Sequence, residues 1–436
     1  MAEGELDLRV LPARLRGQVG IDAAHATRRA IVRHGPRAGV LLAAAVTCAA
    51  MLVDVAGAAA DPASARTCGG EFSTWKSVVA AEAAAAGVGR TGLDALAGAS
   101  VDPKVLERDR AQGVFSQSFI EFSRRMINDY RLKNGAANLR KHAEVFARAE
   151  REFGVPGPVI TAFWALETDF GAVQGDFLTL NALVTLAHDC RRPDLFRPQL
   201  VPLLTLIDRG VLPADVRGAW AGEIGQTQML PSDYLLRGVD GDGDGLVDLR
   251  RSVADVVMTT ANKIRSRGWK AGRPWIREVR VPDEMPWEET GRTNKLPLSQ
   301  WSAWGVTERS GAPLADEGGL SAGLVLPMGR RGPAFLTFDN YDVYLQWNQS
   351  AIYTLTAAHL AARFAGQAAY DPRNPEPGLS RDEMKALQTR LVALGYDVGG
   401  IDGVLGNLTR EAVRAEQKRL GLAIDGWPTK AMLAML

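Results

Sequence analysis

The sequence predicts a mainly α (α+β) protein: a helical domain with a small β-containing insertion, then a small helical C-terminal domain. Three observations carry this. Apolar residues recur at three- and four-residue spacings from about 73 to 268, the period of helices with one buried face. Between about 272 and 340, Gly, Pro and Trp become frequent and short strand-like runs appear. The Pro-rich stretch YDPRNPEPGLS (370–380) then sets apart the last unit.

The elements follow in order. TWKSVVAAEAAAA (74–86), SFIEFSRRMINDY (118–130) and NLRKHAEVFARAEREFG (138–154) are helical by spacing, and Gly154 and Pro156 separate the last of them from the next helix. IREVRV (276–281) and AFLTF (334–338) read as strands, and a long helix returns over 341–365. Ser380 and Glu383 form a capping-box pattern before the apolar face of MKALQTRLVALG. IDG occurs at 401–403 and again at 424–426, each time a few residues before a helix, so this unit contains a repeat. The expected division is an N-terminal extension and signal (1–65), a main domain (66–370), a linker (371–379) and the C-terminal domain (380–436).

Composition excludes several classes. The chain has 436 residues, 46% hydrophobic and 23% charged, with a formal net charge of +1. No basic stripe stands out beyond the N-terminus, so no nucleic-acid partner is expected. Arg28, Arg29, Arg33 and Arg37 precede the apolar run AGVLLAAAVTCAAML (38–52), and small residues follow. Basic, apolar, then small is the order of a secretory signal. The expected destination is the periplasm, and retention of the run as a membrane anchor is the competing reading. Cys48 would leave with the signal. Cys68 and Cys190 remain, an even pair expected to form a disulfide in an oxidising compartment, with two buried thiols as the alternative. The five histidines are scattered, and no zinc-ligand spacing is present.

FWALETDFG (163–171) contains an awkward charge. On a helix, Glu167 falls in the apolar stripe of Ile160, Phe163 and Trp164, while Asp169 points to the opposite side. Burial disfavours an ionised carboxylate, so Glu167 should keep its proton to higher pH than usual and serve as a general acid. Pairing with an Arg inside the fold is the structural alternative. GAWAGEIGQTQMLPSDY (218–234) gathers Trp220, Gln226, Gln228, Ser232 and Tyr234 among glycines, a set suited to carbohydrate, with Glu223 as a second carboxyl. In DCRRPD (189–194), Arg191 and Arg192 suit a carboxylate partner. DGDGDGLVDL (240–249) places Asp240, Asp242 and Asp244 at oxygen-ligand spacing, with the Leu246 carbonyl at the seventh position. The twelfth is Arg251 rather than Glu, and Asp255 is the candidate for the missing ligand of a structural calcium ion. NYDVYLQWNQSAIY (340–353) offers a further aromatic and amide wall, including Trp347 and Tyr353.

ALETDFG, the DCRR segment, GAWAGEIGQTQMLPSDY, DGDGDGLVDLRRSVADV and GPAFLTFDNYDVYLQWNQS, in this order, resemble the B-type family of lytic murein transglycosylases. The resemblance covers nearly all of 68–366 and implies a lysozyme-like catalytic domain. LQTRLVALGY, IDGVLGNLTREAV and IDGWPTKAML resemble the small helical peptidoglycan-binding domain. It also implies cleavage of the β-1,4 bond between N-acetylmuramic acid and N-acetylglucosamine, ending in a 1,6-anhydro ring. Glu167 would be the single acid/base, with Arg191, Arg192, Gln226, Gln228 and Tyr353 near the glycan. A single carboxyl suits an intramolecular nucleophile, whereas hydrolases of this kind use two. No cofactor is implied for the chemistry. Glycan strands of peptidoglycan are the expected partner, the chain a monomer with at most peripheral membrane association. A hydrolytic muramidase and a non-catalytic wall-binding protein are the rival functions.

Overall fold

The computed structural model describes residues 67–111, 117–315 and 318–436, so the basic and apolar N-terminal segment lies outside the described residues. Helices surround one central helix, Gly157–Thr168, whose side chains are buried on nearly every face. Its apolar circumference explains that position, because a helix without a polar stripe has no face to give to water. Pro158 stands in its first turn, where a missing N–H costs nothing. The helix Ala351–Phe364 packs along it, and Asp129–Lys141, Ala143–Phe153 and Val253–Ser266 complete its surroundings. Among the described residues no helix is long and apolar enough to cross a membrane.

Three expected helices are interrupted, two of them by residues whose side chains compete for the backbone. Phe119–Met126 stops before Asn128, whose side chain accepts from the Arg131 amide and starts Asp129–Lys141. His142 then separates that helix from Ala143–Phe153. The expected long helix over 341–365 is two, Asp339–Trp347 and Ala351–Phe364, with Asn348 and Ser350 forming the corner. Asn348 accepts from the Ser350 amide, and Ser350 caps the amide of Tyr353. That corner sets the aromatic side chains on either side of it at the end of the central helix.

Strand β1 (Phe177–Leu178) pairs with β2 (Arg217–Gly218) in a two-residue ladder. The insertion is an antiparallel sheet of β3 (Ile276–Arg280), β4 (Gly291–Pro297), β5 (Thr307–Glu308), β6 (Ser321–Val325) and β7 (Ala334–Thr337). Its strand order is β4-β6-β7-β3-β5. The sequence marks β3 and β7. β4, in GRTNKLP, has no apolar alternation to reveal it, and β5 is two residues long. This layer has its own core around Trp287, Leu298, Trp301, Leu324 and Leu336.

The C-terminal unit holds three helices, Arg381–Ala393, Asn407–Arg419 and Lys430–Met435, around Leu387, Leu391, Val413 and Met432. The Ser380–Glu383 capping box forms as expected. The repeated IDG has a physical basis. Gln388 accepts from the Gly403 amide and donates to Asp402, and Gln417 does the same with Gly426 and Asp425. Each buried glutamine thus clamps one turn whose glycine has positive φ. The unit lies against the main domain: Arg414 donates to the Glu288 carbonyl (2.8 Å), and Asp425 accepts from the Arg330 amide (3.0 Å). Ala423 and Ile424 pack on the core of the sheet layer.

Cys68 and Cys190 form the expected disulfide, with Cα atoms 5.2 Å apart, and tie the start of the described chain to the DCRR segment.

Candidate active site

Glu167 occupies the last turn of the central helix. The chain reverses immediately after it through Asp169 (φ 51°), Phe170 (φ 62°) and Gly171 (φ 87°). Asp169 turns away, as expected, and pairs with the Arg131 guanidinium at 2.6 Å. Phe170 in a left-handed conformation is unusual for a bulky residue. It is held by edge-on contact with Trp164 at 5.5 Å. A side chain at Gly171 would strike Gln226, so glycine is required there.

The Glu167 carboxyl meets two donors from the corner between the two C-terminal helices of the main domain. Trp347 Nε1–H donates to Oε1 at 2.9 Å, and the Tyr353 hydroxyl donates to the same oxygen at 2.5 Å. Among the described residues none donates to Oε2. Burial raises the carboxyl above its ordinary range, while Tyr353, Trp347 and the positive charge of Lys263 hold it down. Tyr353 itself is pushed well above its usual range by burial and by Glu167, so it remains a donor through neutrality.

Glu223 belongs to the same electrostatic site. Burial first, and the negative charge of Glu167 next, push it up to about 7, against the pull of Lys263 and Arg192. The loop that carries it is fixed by the β1–β2 ladder and by the Ala219 amide donating to the Glu223 carbonyl.

The other expected site residues are placed as follows. Gln226 is buried, accepts from Trp164 Nε1 (2.9 Å) and donates to the Arg250 carbonyl (3.2 Å), so its amide braces the end of the central helix. Its own carbonyl accepts from Thr168 Oγ1. Gln228 has positive φ and donates to the Gly225 carbonyl at 2.9 Å. Arg191 and Arg192 both pair with buried Asp109, a partner that the sequence reading did not name. Their side chains remain partly exposed, 45% for Arg191 and 33% for Arg192. Tyr234 is a core residue whose hydroxyl donates to the Val247 carbonyl. Trp347 was expected only as part of a wall; its bond to Glu167 depends on the corner at Asn348, which has no local signature.

The carboxylates of Asp240, Asp242 and Asp244 lie within 4.8 Å of one another, beside the exposed side chain of Leu246. Asp255 is fully buried behind them, accepting from the amides of Gly241 (2.7 Å) and Asp248 (2.6 Å). Each of its oxygens thus accepts one amide hydrogen bond that holds the loop. The trio is a hard-oxygen set that fits calcium.

A half-buried carboxyl with two aromatic donors, on the last turn of a central helix, has the make-up of a general acid. The chain belongs to the Transglycosylase SLT domain family, whose model matches residues 71–362, and a peptidoglycan binding domain matches 380–436. Among individual proteins it is similar to the membrane-bound lytic murein transglycosylase B of Escherichia coli. That identity is 27% over 250 residues, 57% of this chain and 68% of the relative. It is also similar to SltB3 of Pseudomonas aeruginosa, at 36% identity and TM-score 0.78, covering 84% of this chain and 99% of that one. SltB3 was solved with NAG-anhNAM-pentapeptide and with NAG-NAM-pentapeptide. SltB1 of the same organism matches at 26% identity and TM-score 0.59, over 67% of this chain and 98% of its own. The expected lysozyme-like helical fold is thereby borne out.

Proposed function

We propose that Glu167 is the single acid/base of this enzyme, a lytic transglycosylase acting on peptidoglycan. The convergence of Trp347 and Tyr353 on one oxygen carries this reading. Oε1 accepts two hydrogen bonds, so a proton on the carboxyl belongs on Oε2, where no donor among the described residues competes. From there Glu167 protonates the bridging oxygen between N-acetylmuramic acid and N-acetylglucosamine as that bond breaks. The carboxylate left behind is stabilised by the same two donors. It then takes the proton of the muramyl 6-hydroxyl as that oxygen closes on the anomeric carbon, giving a 1,6-anhydro end. No water is added. Glu223, pushed up to about 7, is the carboxyl that a hydrolytic muramidase would use as base, so the mass of the product separates that reading from this one. The complex of SltB3 with NAG-anhNAM-pentapeptide supports the anhydro outcome.

Arg191 and Arg192, whose side chains are partly exposed, are assigned to acidic groups of the substrate, and Gln226, Gln228 and Tyr353 to the walls of the glycan site. Asp240, Asp242, Asp244, the Leu246 carbonyl and Asp255 are assigned to a structural calcium ion, Asp255 also bracing the loop through the amides of Gly241 and Asp248. The enzyme is read as an exported, periplasmic monomer, with peripheral membrane association only through the N-terminal apolar segment. The Cys68–Cys190 disulfide favours an oxidising compartment.

Glu167→Gln tests the assignment of the acid. The variant is expected to keep sedimenting with purified peptidoglycan while releasing no soluble muropeptides. Retained release would move the acid elsewhere.

A further inference from the structure

Lys263 is a buried cation on Val253–Ser266, only 7% exposed, in a stretch that is otherwise core. Its ammonium stands 4.0 Å from the centre of the Trp347 ring and 3.0 Å from Asp233 Oδ2. Phe163 stacks on the same indole at 4.2 Å, so the ring is clamped between Phe163 and the ammonium. The N–H edge of that ring donates to Glu167. A cation over the ring draws electron density from it and makes the N–H a stronger donor.

We propose that Lys263 is a positioning residue for the reaction, acting on Glu167 through the clamped Trp347 indole to stabilise the carboxylate between proton donation and proton recapture. The inference rests on the assignment of Glu167 as acid/base. A carboxylate formed in mid-reaction at this half-buried position is only partly hydrated, and neutral donors alone stabilise it less well than donors backed by a charge. The charged and titratable neighbours are few. Tyr353, Trp347, Lys263 and Glu223 face Glu167, and Arg192 faces Glu223. Asp233 faces Lys263 and is shared with Arg267 at 3.5 Å. Asp233 therefore stays paired when Lys263 is replaced.

The test is the pH dependence of kcat/KM on purified peptidoglycan for the parent, Lys263→Met, Lys263→Arg and Asp233→Asn, each with its thermal midpoint. The protonated acid is the active form, so the rate falls as pH rises through the Glu167 pKa. Removing the cation makes the carboxylate less favourable, so Lys263→Met should move this alkaline limb up by about 0.5–1 unit and lower kcat more than it raises KM. Lys263→Arg should return the limb close to its parent position. Asp233→Asn, which frees the cation from its counter-charge, should move it down. A Lys263→Met limb that stays in place, with activity reduced equally at every pH, would overturn the proposal and leave Lys263 a structural residue. Should Lys263→Met fail to fold, Asp233→Asn decides alone: a limb that does not move down has the same consequence. Glu167→Gln run in parallel separates the two levels, because retained cleavage there would remove the assignment of the acid itself.

Discussion

Burial and hydrogen bonding pull the Glu167 carboxyl in opposite directions, and with Glu167 as the proposed acid/base the chemistry depends on neither winning outright. Burial keeps the proton on for donation; Tyr353 and Trp347 make its loss bearable. Tyr353→Phe removes the shorter of the two bonds, and a hydrogen bond to a charged group contributes about 1.5–3 kcal/mol. The alkaline limb of the pH–rate profile should move upward by about one unit and kcat should fall by at least tenfold. An unchanged profile would show that Tyr353 is only a wall. Glu223 makes a prediction for stability. Its carboxyl is raised from 4.5 to about 7 in the fold, so the neutral form is the one the fold accommodates. The contribution is intact below 4.5 and is lost as pH rises through about 7. Glu223→Gln should therefore raise the thermal midpoint at pH 8 and change it little at pH 4, as differential scanning calorimetry would report.

At the scale of elements, the breaks matter more than the helices. Glu167 itself was legible because a charge in an apolar stripe is visible in the sequence. Its partners were not, since Trp347 and Tyr353 meet it only where Asn348 and Ser350 divide what spacing reads as one helix. Periodicity continues across such a corner, and only the local hydrogen bonds of the Asn and Ser side chains end the helix. Asp109 was illegible for a related reason: it pairs with Arg191 and Arg192 across 82 and 83 residues, and nothing local announces it. The disulfide was legible because only two cysteines remain beyond the signal. It closes a loop of 122 residues, so Cys190→Ser should lower stability by about 2–4 kcal/mol in a denaturant titration, with no change in the nature of the product. The acidic loop gives a further test. Calcium should raise the thermal midpoint of the parent, and Asp242→Asn should abolish that increase.

On the scale of the whole molecule, two units share one seam. The C-terminal unit was legible as a repeat, and the Gln388 and Gln417 clamps explain why both copies carry the same IDG turn. Its docking was not legible, because Arg414, Asp425 and Ile424 meet the main domain through backbone groups and an apolar patch that carry no pattern. Under the proposed function, a wall-binding unit attached in this way would raise the local concentration of glycan at Glu167 without entering the chemistry. The central claim is that one carboxyl both gives and takes the proton, with the substrate's own hydroxyl as nucleophile. Mass spectrometry of purified peptidoglycan digested by the enzyme, with Glu167→Gln beside it, tests this most directly. Anhydromuropeptides from the parent and none from the variant are the expected result. Products heavier by one water, with reducing ends, would contradict the account and make Glu223 the first candidate for a hydrolytic base.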